Sequence, residues 1–529
     1  MRRLATLAIV LVTAWFTPQA ALAEPHVLNF SDGLDLTGLN PLQPQAAPNY
    51  EIAYLTMAYL TRYGPAGLQP ELLDELPTQR DGTISLDGKT IRLKLKPDLK
   101  WADGQPLTSA DIAFTIATIN DPKTISQYKD GFQYITGVDT PDPATAVVHL
   151  SQPYGQALRI LFSSRSAPVL PKHLLAGADV NTAPYNQLPV GAGPFRMTKW
   201  TRGDRVEMER NPFYANGTPK LERIVYHMIP TVSGAVTALR TGEVDTVMTL
   251  AYSDYKPYEN DPTIKAIVMR GVRPGKFTLN VKRPALADIA VRRALRLATD
   301  RAGILQRSYF GGGVLSETGV SAVDPYAARI PLVRYDPKAA AALLDRAGWK
   351  VGSDGVRVKN GQRLTIELIG GAGSSFVDQI LELVRANWSA IGIDVTTKRY
   401  PLSLMFGPRD QGGILFGGKF DVALFSTGQV TAAEYADGFE CRDIPPNGTN
   451  VSQLCDPPLD KLVDRALKTY DPSAAGIMFV KAQHDIFVDT PEIVLTLRNE
   501  YYPYRDNVTG AHFSPFAFFY DPLTIDVTK

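Results

Sequence analysis

The stretch RLTIELIGGAGSSFVDQILELVRANWSAIGIDVTTKRY, residues 363–400, limits the fold more than any other part of the chain. Residues 363–369 alternate as a β-strand does, Ser374 or Ser375 opens a helix running to about residue 390, and residues 393–399 form a second β-rich run. Strand, helix and strand at this spacing make a βαβ unit, so the strands are parallel and the crossover right-handed. The chain is therefore α/β, and ligands in such sheets sit beyond the carboxyl ends of the strands. That rule puts Gly371, Gly373, Ser374 and Ser375 at a cleft, where glycines let backbone amides approach and a helix start favours an anion or carboxylate. A plain βα turn is the competing reading of the same residues. A dinucleotide fingerprint fails, because Phe376 stands where the third glycine belongs. A further strand at 420–425 ends in Ser426, Thr427, Gly428 and Gln429, so Ser426, Thr427 and Gln429 face the cleft by the same rule.

Residues 190–247 extend the pattern. GAGPF leads into a hairpin turning at Arg202-Gly203-Asp204; ERNPFY follows, then a strand at 224–229, a helix at 232–239 stopped by Gly242, and a short strand at 244–248. In LKWADGQPLTSADIAFTIATINDPKT, Thr108 and Asp111 have capping-box spacing at a helix start. Two alternating segments around Asp87-Gly88 predict a hairpin over 82–95, a strand is expected at 26–30, and a helix at 50–60. The arginines of a helix at 288–298, Arg292, Arg293 and Arg296, read as a solvated or structural face.

GAGPF, the charged hairpin, ERNPFY and the helix ending in TGEVD follow one another as in a known family. So do LKWADG…TSADIAFT, KFTLNVKRPALADIAVRRALRLATDRAGILQRSYFGGG, YDPKAAAALLDRAGW and LDKLVDRALKTYD. Over residues 53–482 the chain resembles the extracellular solute-binding proteins of peptide/nickel-type ABC importers, family 5, with dipeptide- and oligopeptide-binding members. The resemblance implies a two-lobed periplasmic binding protein fold (type II) with an extra small α/β domain inserted in the first lobe. It divides the chain into a signal peptide at 1–23, a discontinuous first lobe at 24–70, 189–272 and 498–529, an inserted subdomain at 71–188 and a second lobe at 273–497. The chain would cross between lobes near Arg273 and Arg498, the expected hinge. Function follows as capture of a small peptide or amino-acid-derived solute and delivery to an inner-membrane ABC permease with cytoplasmic ATPases, by a monomer without cofactor.

The family's loop before the first helix borders the ligand cleft, so Asn49 and Tyr50 carry over as ligand contacts, with Tyr50 packing the helix start as the other reading. Peptide-binding members carry a Trp and then an Asp beyond the 420–425 strand, the Asp neutralising a peptide's amino terminus. This chain has neither there, which puts simple dipeptide recognition in doubt; Glu434 and Asp437 are the nearest substitutes. Sugars, opines, haem and metal chelates are the alternative solutes within the family, and a ligand sensor or chaperone is the alternative use of the scaffold.

Charge and termini narrow the classes further. Lys and Arg number 55 against 54 Asp and Glu, a balance that does not point to nucleic acid or an anionic membrane. MRRLATLAIVLVTAWFTPQAALA has the three parts of a cleavable secretory leader, and no cysteine near its end offers a lipid anchor. Cys441 and Cys455 enclose a short Pro/Gly/Asn-rich loop and in an exported chain read as a disulfide worth about 3 kcal/mol. The six scattered histidines supply no metal-ligand spacing, and neither a Gly-x-Ser-x-Gly elbow nor a His-Glu-x-x-His helix is present to support a periplasmic hydrolase.

Overall fold

The computed structural model describes residues 26–32, 36, 38–43, 47–64, 67–129, 131–164, 166–428, 430–512 and 521–528. The leader and Gln429 lie outside them.

Eleven strands form the main sheet: β1 Val27–Ser31, β2 Phe195–Thr201, β3 Arg205–Arg210, β4 Arg223–His227, β5 Thr246–Val247, β6 Ile264–Leu279, β7 Gly313–Val314, β8 Thr365–Gly371, β9 Asp394–Tyr400, β10 Val422–Ser426 and β11 Glu492–Arg505. Their order is β9-β8-β10-β6-β11-β5-β1-β4-β3-β2, with β7 beside β11. The expected βαβ unit is present: β8 and β9 are parallel, joined by the helix Ser375–Ser389. The hairpin β2–β3 and the helix Val232–Thr241 also form, the latter closed by Gly242 at φ 80°.

Two long strands bind the halves of this sheet. β6 and β11 run antiparallel from Ile264 opposite Arg505 to Thr278 opposite Glu492, and Arg273 lies directly opposite Arg498. The pairing is interrupted between Met269 and Arg273, where Gly271 takes φ 65°, a left-handed value that glycine adopts without strain. Around β1–β4 the core contains Leu28, Phe30, Phe195, Tyr226 and Tyr502; around β8–β10 it contains Phe277, Leu368, Trp388, Val422 and Ile493. Strands β6 and β11 thus run from one of these cores to the other.

A third core, with Trp101, Ile112, Phe132 and Phe162, fills a unit built on the strands Thr90–Lys94, Ile135–Asp142 and Thr145–Leu150 and the helix Ser109–Asn120. At the start of that helix the Asp111 carboxylate accepts from the Thr108 amide at 2.8 Å and from the Lys172 amide at 2.9 Å. The unit packs against residues 442–470. Gly155 N donates to Leu467 O at 2.6 Å, Tyr470 Oη to Gly88 O at 3.0 Å, and Arg442 Nη1 to Tyr134 Oη at 3.2 Å. Cys441 and Cys455 form the disulfide.

Two local expectations change. The first helix is Ala47–Thr56 instead of 50–60, because the chain beyond it pairs with a distant segment: Leu60 N donates to Phe162 O at 2.9 Å, and Thr61–Gly64 is a strand. In the 82–95 hairpin only Thr90–Lys94 is a strand, and Ile84 makes a single bridge to Ile91. The Asp81 carboxylate accepts from the Thr83 amide at 2.9 Å, a local turn that competes with the ladder.

Candidate solute site

The strand-end rule locates a cavity. β10 ends at Ser426, whose hydroxyl donates to Pro274 O at 2.9 Å, fixing the end of the strand to its neighbour β6. Thr427 then turns into a cavity of about 280 Å3 with Lys276, Thr278, Phe406, Phe425, Tyr435 and Glu492 among its walls. Lys276 and Thr278 alternate with Phe277 and Leu279 along β6, so the apolar pair enters the lobe's core while the polar pair meets the cavity.

An ion pair forms the polar part. Lys276 Nζ lies 2.6 Å from Glu492 Oε2, and Tyr435 Oη donates to Glu492 Oε1 at 2.8 Å. Burial first, and then the Glu492 carboxylate, push the Tyr435 phenol well above its ordinary pKa, so it remains a donor. The ammonium also lies 6.0 Å from the Phe425 ring centre and 5.9 Å from that of Phe439. Two hydroxyls are unanswered: Thr278 Oγ1 and Thr427 Oγ1 are buried without a hydrogen-bond partner. A buried polar atom of this kind is completed by water or by ligand. The aromatic walls, the Lys276–Glu492 pair and the free hydroxyls suit a compact polar solute with an apolar part.

Of the residues singled out from the sequence, Thr427 belongs to this cavity, while Ser426 closes on the backbone beside it. Ser374 caps the Ser375–Ser389 helix, accepting from Val377 N at 3.3 Å, and Gly373 makes the preceding turn at φ 83°. Ser375 lines a second, larger cavity. Asn49 and Tyr50 line neither: Asn49 is buried, its amide donating to Gly38 O, and Tyr50 donates to Gln127 Oε1 at 2.7 Å. Glu434 lines the first cavity, but one of its oxygens accepts from the Thr431 amide at 2.8 Å at the start of its own helix, and Asp437 pairs with Arg442 at 2.7 Å. Sequence reasoning missed Lys276, Thr278, Tyr435 and Glu492. The available signal was the alternation of Lys276 and Thr278 with Phe277 and Leu279 at the end of the strand that leads out of the crossing segment.

Among the described residues no group of three or more His, Cys, Asp or Glu side chains could hold a metal ion, and no helix is long and apolar enough to cross a membrane. Residues 67–437 match the model of the bacterial extracellular solute-binding proteins, family 5 middle region. The chain is 26% identical over 452 residues to Protein XP55 of Streptomyces lividans, covering 84% of this chain and 78% of that protein. It is 25% identical over 451 residues to the oligopeptide-binding protein AppA of Bacillus subtilis, covering 84% and 81%. In fold it matches NikA of Brucella suis, solved in complex with Fe(III)-EDTA, with a TM-score of 0.82 at 21% identity over 95% of this chain and 100% of the other. With the family match spanning most of the chain and the two-lobed architecture in agreement, the protein belongs to the family 5 extracellular solute-binding proteins, the substrate-binding components of ABC transporters.

Proposed function

We propose that this protein captures a small peptide or amino-acid-derived solute in the cavity at the end of β10 and delivers it to an inner-membrane ABC permease. In this reading it is exported by the leader at 1–23, acts as a monomer in the periplasm and hydrolyses nothing. The first lobe comprises 24–70, 189–272 and 498–529, the inserted subdomain 71–188 and the second lobe 273–497. The hinge lies at the Arg273 and Arg498 pairing, and closure presents the lobes to the permease. Ser426 borders the entrance, Thr427 contacts solute, and Asn49 and Tyr50 order the loop on the opposing lobe.

One observation carries the choice of solute: Lys276 and Glu492 neutralise each other beneath phenylalanine walls, beside two unpartnered threonine hydroxyls. The Lys276–Glu492 pair leaves neither charge free for a ligand and Glu434 is engaged at its own helix start, so in this reading recognition rests on hydrogen bonds and apolar contact. Relatives named for oligopeptides support the peptide class. The test is native mass spectrometry of protein purified from a periplasmic extract without refolding, followed by release of the bound molecules. Peptide masses are expected. A single non-peptide mass, or an empty protein whose melting temperature no di- to pentapeptide raises, overturns the peptide assignment.

A further inference from the structure

Away from both cavities, Tyr134 meets a cluster of three charges. Its hydroxyl accepts from Arg442 Nη1 at 3.2 Å, and its ring centre lies 5.2 Å from that of Tyr154, whose amide donates to Tyr470 Oη at 3.4 Å. Two acids hold Arg442 in turn. Its Nη2 is 2.7 Å from Asp437 Oδ1 and also pairs with Glu440 Oε2. The turn after the helix Ala432–Asp437 sets the acids side by side, with Glu440 N donating to Asp437 O at 3.1 Å, and their carboxyls share a hydrogen bond. Two ionised carboxylates are acceptors only, so that bond requires a proton between them.

Burial decides where the proton sits. The Glu440 side chain is 3% exposed, against 48% for Asp437 and 52% for Arg442. Burial first, and then the hydrogen bond to Asp437, push the Glu440 carboxyl up to about 8, while the Arg442 guanidinium pulls the other way. The other titratable neighbours are engaged elsewhere. Glu434 accepts from the Thr431 amide at 2.8 Å, Tyr435 donates to Glu492 at 2.8 Å, Asp460 accepts from the Cys441 amide at 3.0 Å, and Asp443 accepts from Thr449 Oγ1 at 3.2 Å. With one proton the two acids carry a single charge, which Arg442 neutralises. Without it, two anions face one guanidinium.

We propose that Asp437, Glu440 and Arg442 form a proton-dependent latch, holding the unit that carries Tyr134 closed against the turn after the helix Ala432–Asp437. With the proton shared, Arg442 serves Asp437 and still reaches Tyr134. Loss of the proton draws the guanidinium to the second anion, and the buried negative charge gains by being rehydrated on opening. Linkage gives the sign: the closed contact keeps Glu440 protonated, and opening returns it toward the ordinary carboxylate range. Closure is therefore favoured at low pH, and this advantage is lost as the pH rises from the ordinary carboxylate range to about 8. Gly438 and Phe439, just before Glu440, line the first cavity, so the latch adjoins the solute's wall. The latch rests on the hinge closure proposed above, but not on the identity of the solute.

Energy transfer between dyes on Leu86→Cys and Ile477→Cys reads the opening, because these side chains are 92% and 71% exposed and stand on the two sides of the contact. The native cysteines are bonded to each other, so labelling without reductant is confined to the new ones. In solute-free protein, transfer is expected to fall between about pH 6 and about pH 9 as the closing equilibrium drops roughly tenfold. Glu440→Gln, neutral at every pH, is expected to stay closed throughout, and Tyr134→Phe to be open throughout. Should Glu440→Gln fail to fold, Asp437→Asn, at an exposed position, decides by moving the midpoint to lower pH. A midpoint unmoved in both acid variants, or pH-independent transfer in a protein that Tyr134→Phe or Gly155→Ala opens, overturns the latch. Transfer that neither pH nor Tyr134→Phe nor Gly155→Ala alters overturns the hinge closure on which the latch rests.

Discussion

Lys276 is the residue on which the first cavity depends. Its side chain is 12% exposed and that of Glu492 3%, so the pair is held largely away from water. Replacing both by apolar groups can be nearly neutral, but removing one leaves a buried charge. Lys276→Met is therefore expected to destabilise the protein by about 3 kcal/mol, measured by urea unfolding, because Tyr435 alone then answers the Glu492 carboxylate. A loss below about 1 kcal/mol would mean that water reaches Glu492. Part of this site was legible in the sequence: the strand-end rule brought out Thr427 and Ser375, each of which lines a cavity. Lys276, Thr278 and Glu492 escaped because they come from two strands more than two hundred positions apart, and no local spacing announces their meeting. Ser374 was legible as a cap, and a cap's oxygen is already engaged by its own helix.

At the scale of elements, periodicity and stop signals found β2, β3, the βαβ unit and the Val232–Thr241 helix, since each is decided by its own residues. The helix at 47–56 was misplaced and the strand Thr61–Gly64 missed, because Phe162, far along the chain, takes the backbone bonds of Leu60 and Thr61. The arginines of the helix Ile289–Leu297 show what a structural reading of a charged face means physically. The helix Pro472–Asp489 ends with carbonyls that lack intrahelical partners. Arg292 donates to Asp489 O at 2.8 and 2.9 Å, Arg293 to Val488 O at 2.9 Å, and Arg296 to Phe487 O at 2.8 Å. Arg292 also donates to Leu286 O at 2.7 Å and is 6% exposed, so Arg292→Ala should cost about 2–3 kcal/mol in unfolding free energy. Arg293 is more exposed, and Arg293→Ala should cost about 1 kcal/mol or less. Equal losses in the two variants would show that charge at the helix end, not the buried bonds, does the stabilising.

Across the whole molecule, the unit carrying Gly88, Tyr134 and Gly155 reaches over to Arg442, Leu467 and Tyr470, while β6 and β11 run through both halves of the main sheet. Under the hinge closure proposed above, a contact away from the hinge that forms only in the closed state would shift the population toward it. Gly155 is its tightest point: a Cβ there would stand 2.0 Å from the Thr469 carbonyl oxygen, and the neighbour is backbone that cannot turn aside. Neither the need for glycine nor its partner is legible locally, because the close approach joins residues some three hundred positions apart. Gly155→Ala should force the contact apart without unfolding either lobe, raising the radius of gyration in X-ray scattering. If the closed fraction falls tenfold, the apparent Kd for solute rises by about the same factor. Gly137→Ala is the control, since a Cβ there meets nothing within 4 Å. Unchanged scattering and affinity in Gly155→Ala would mean that this contact follows closure instead of holding it.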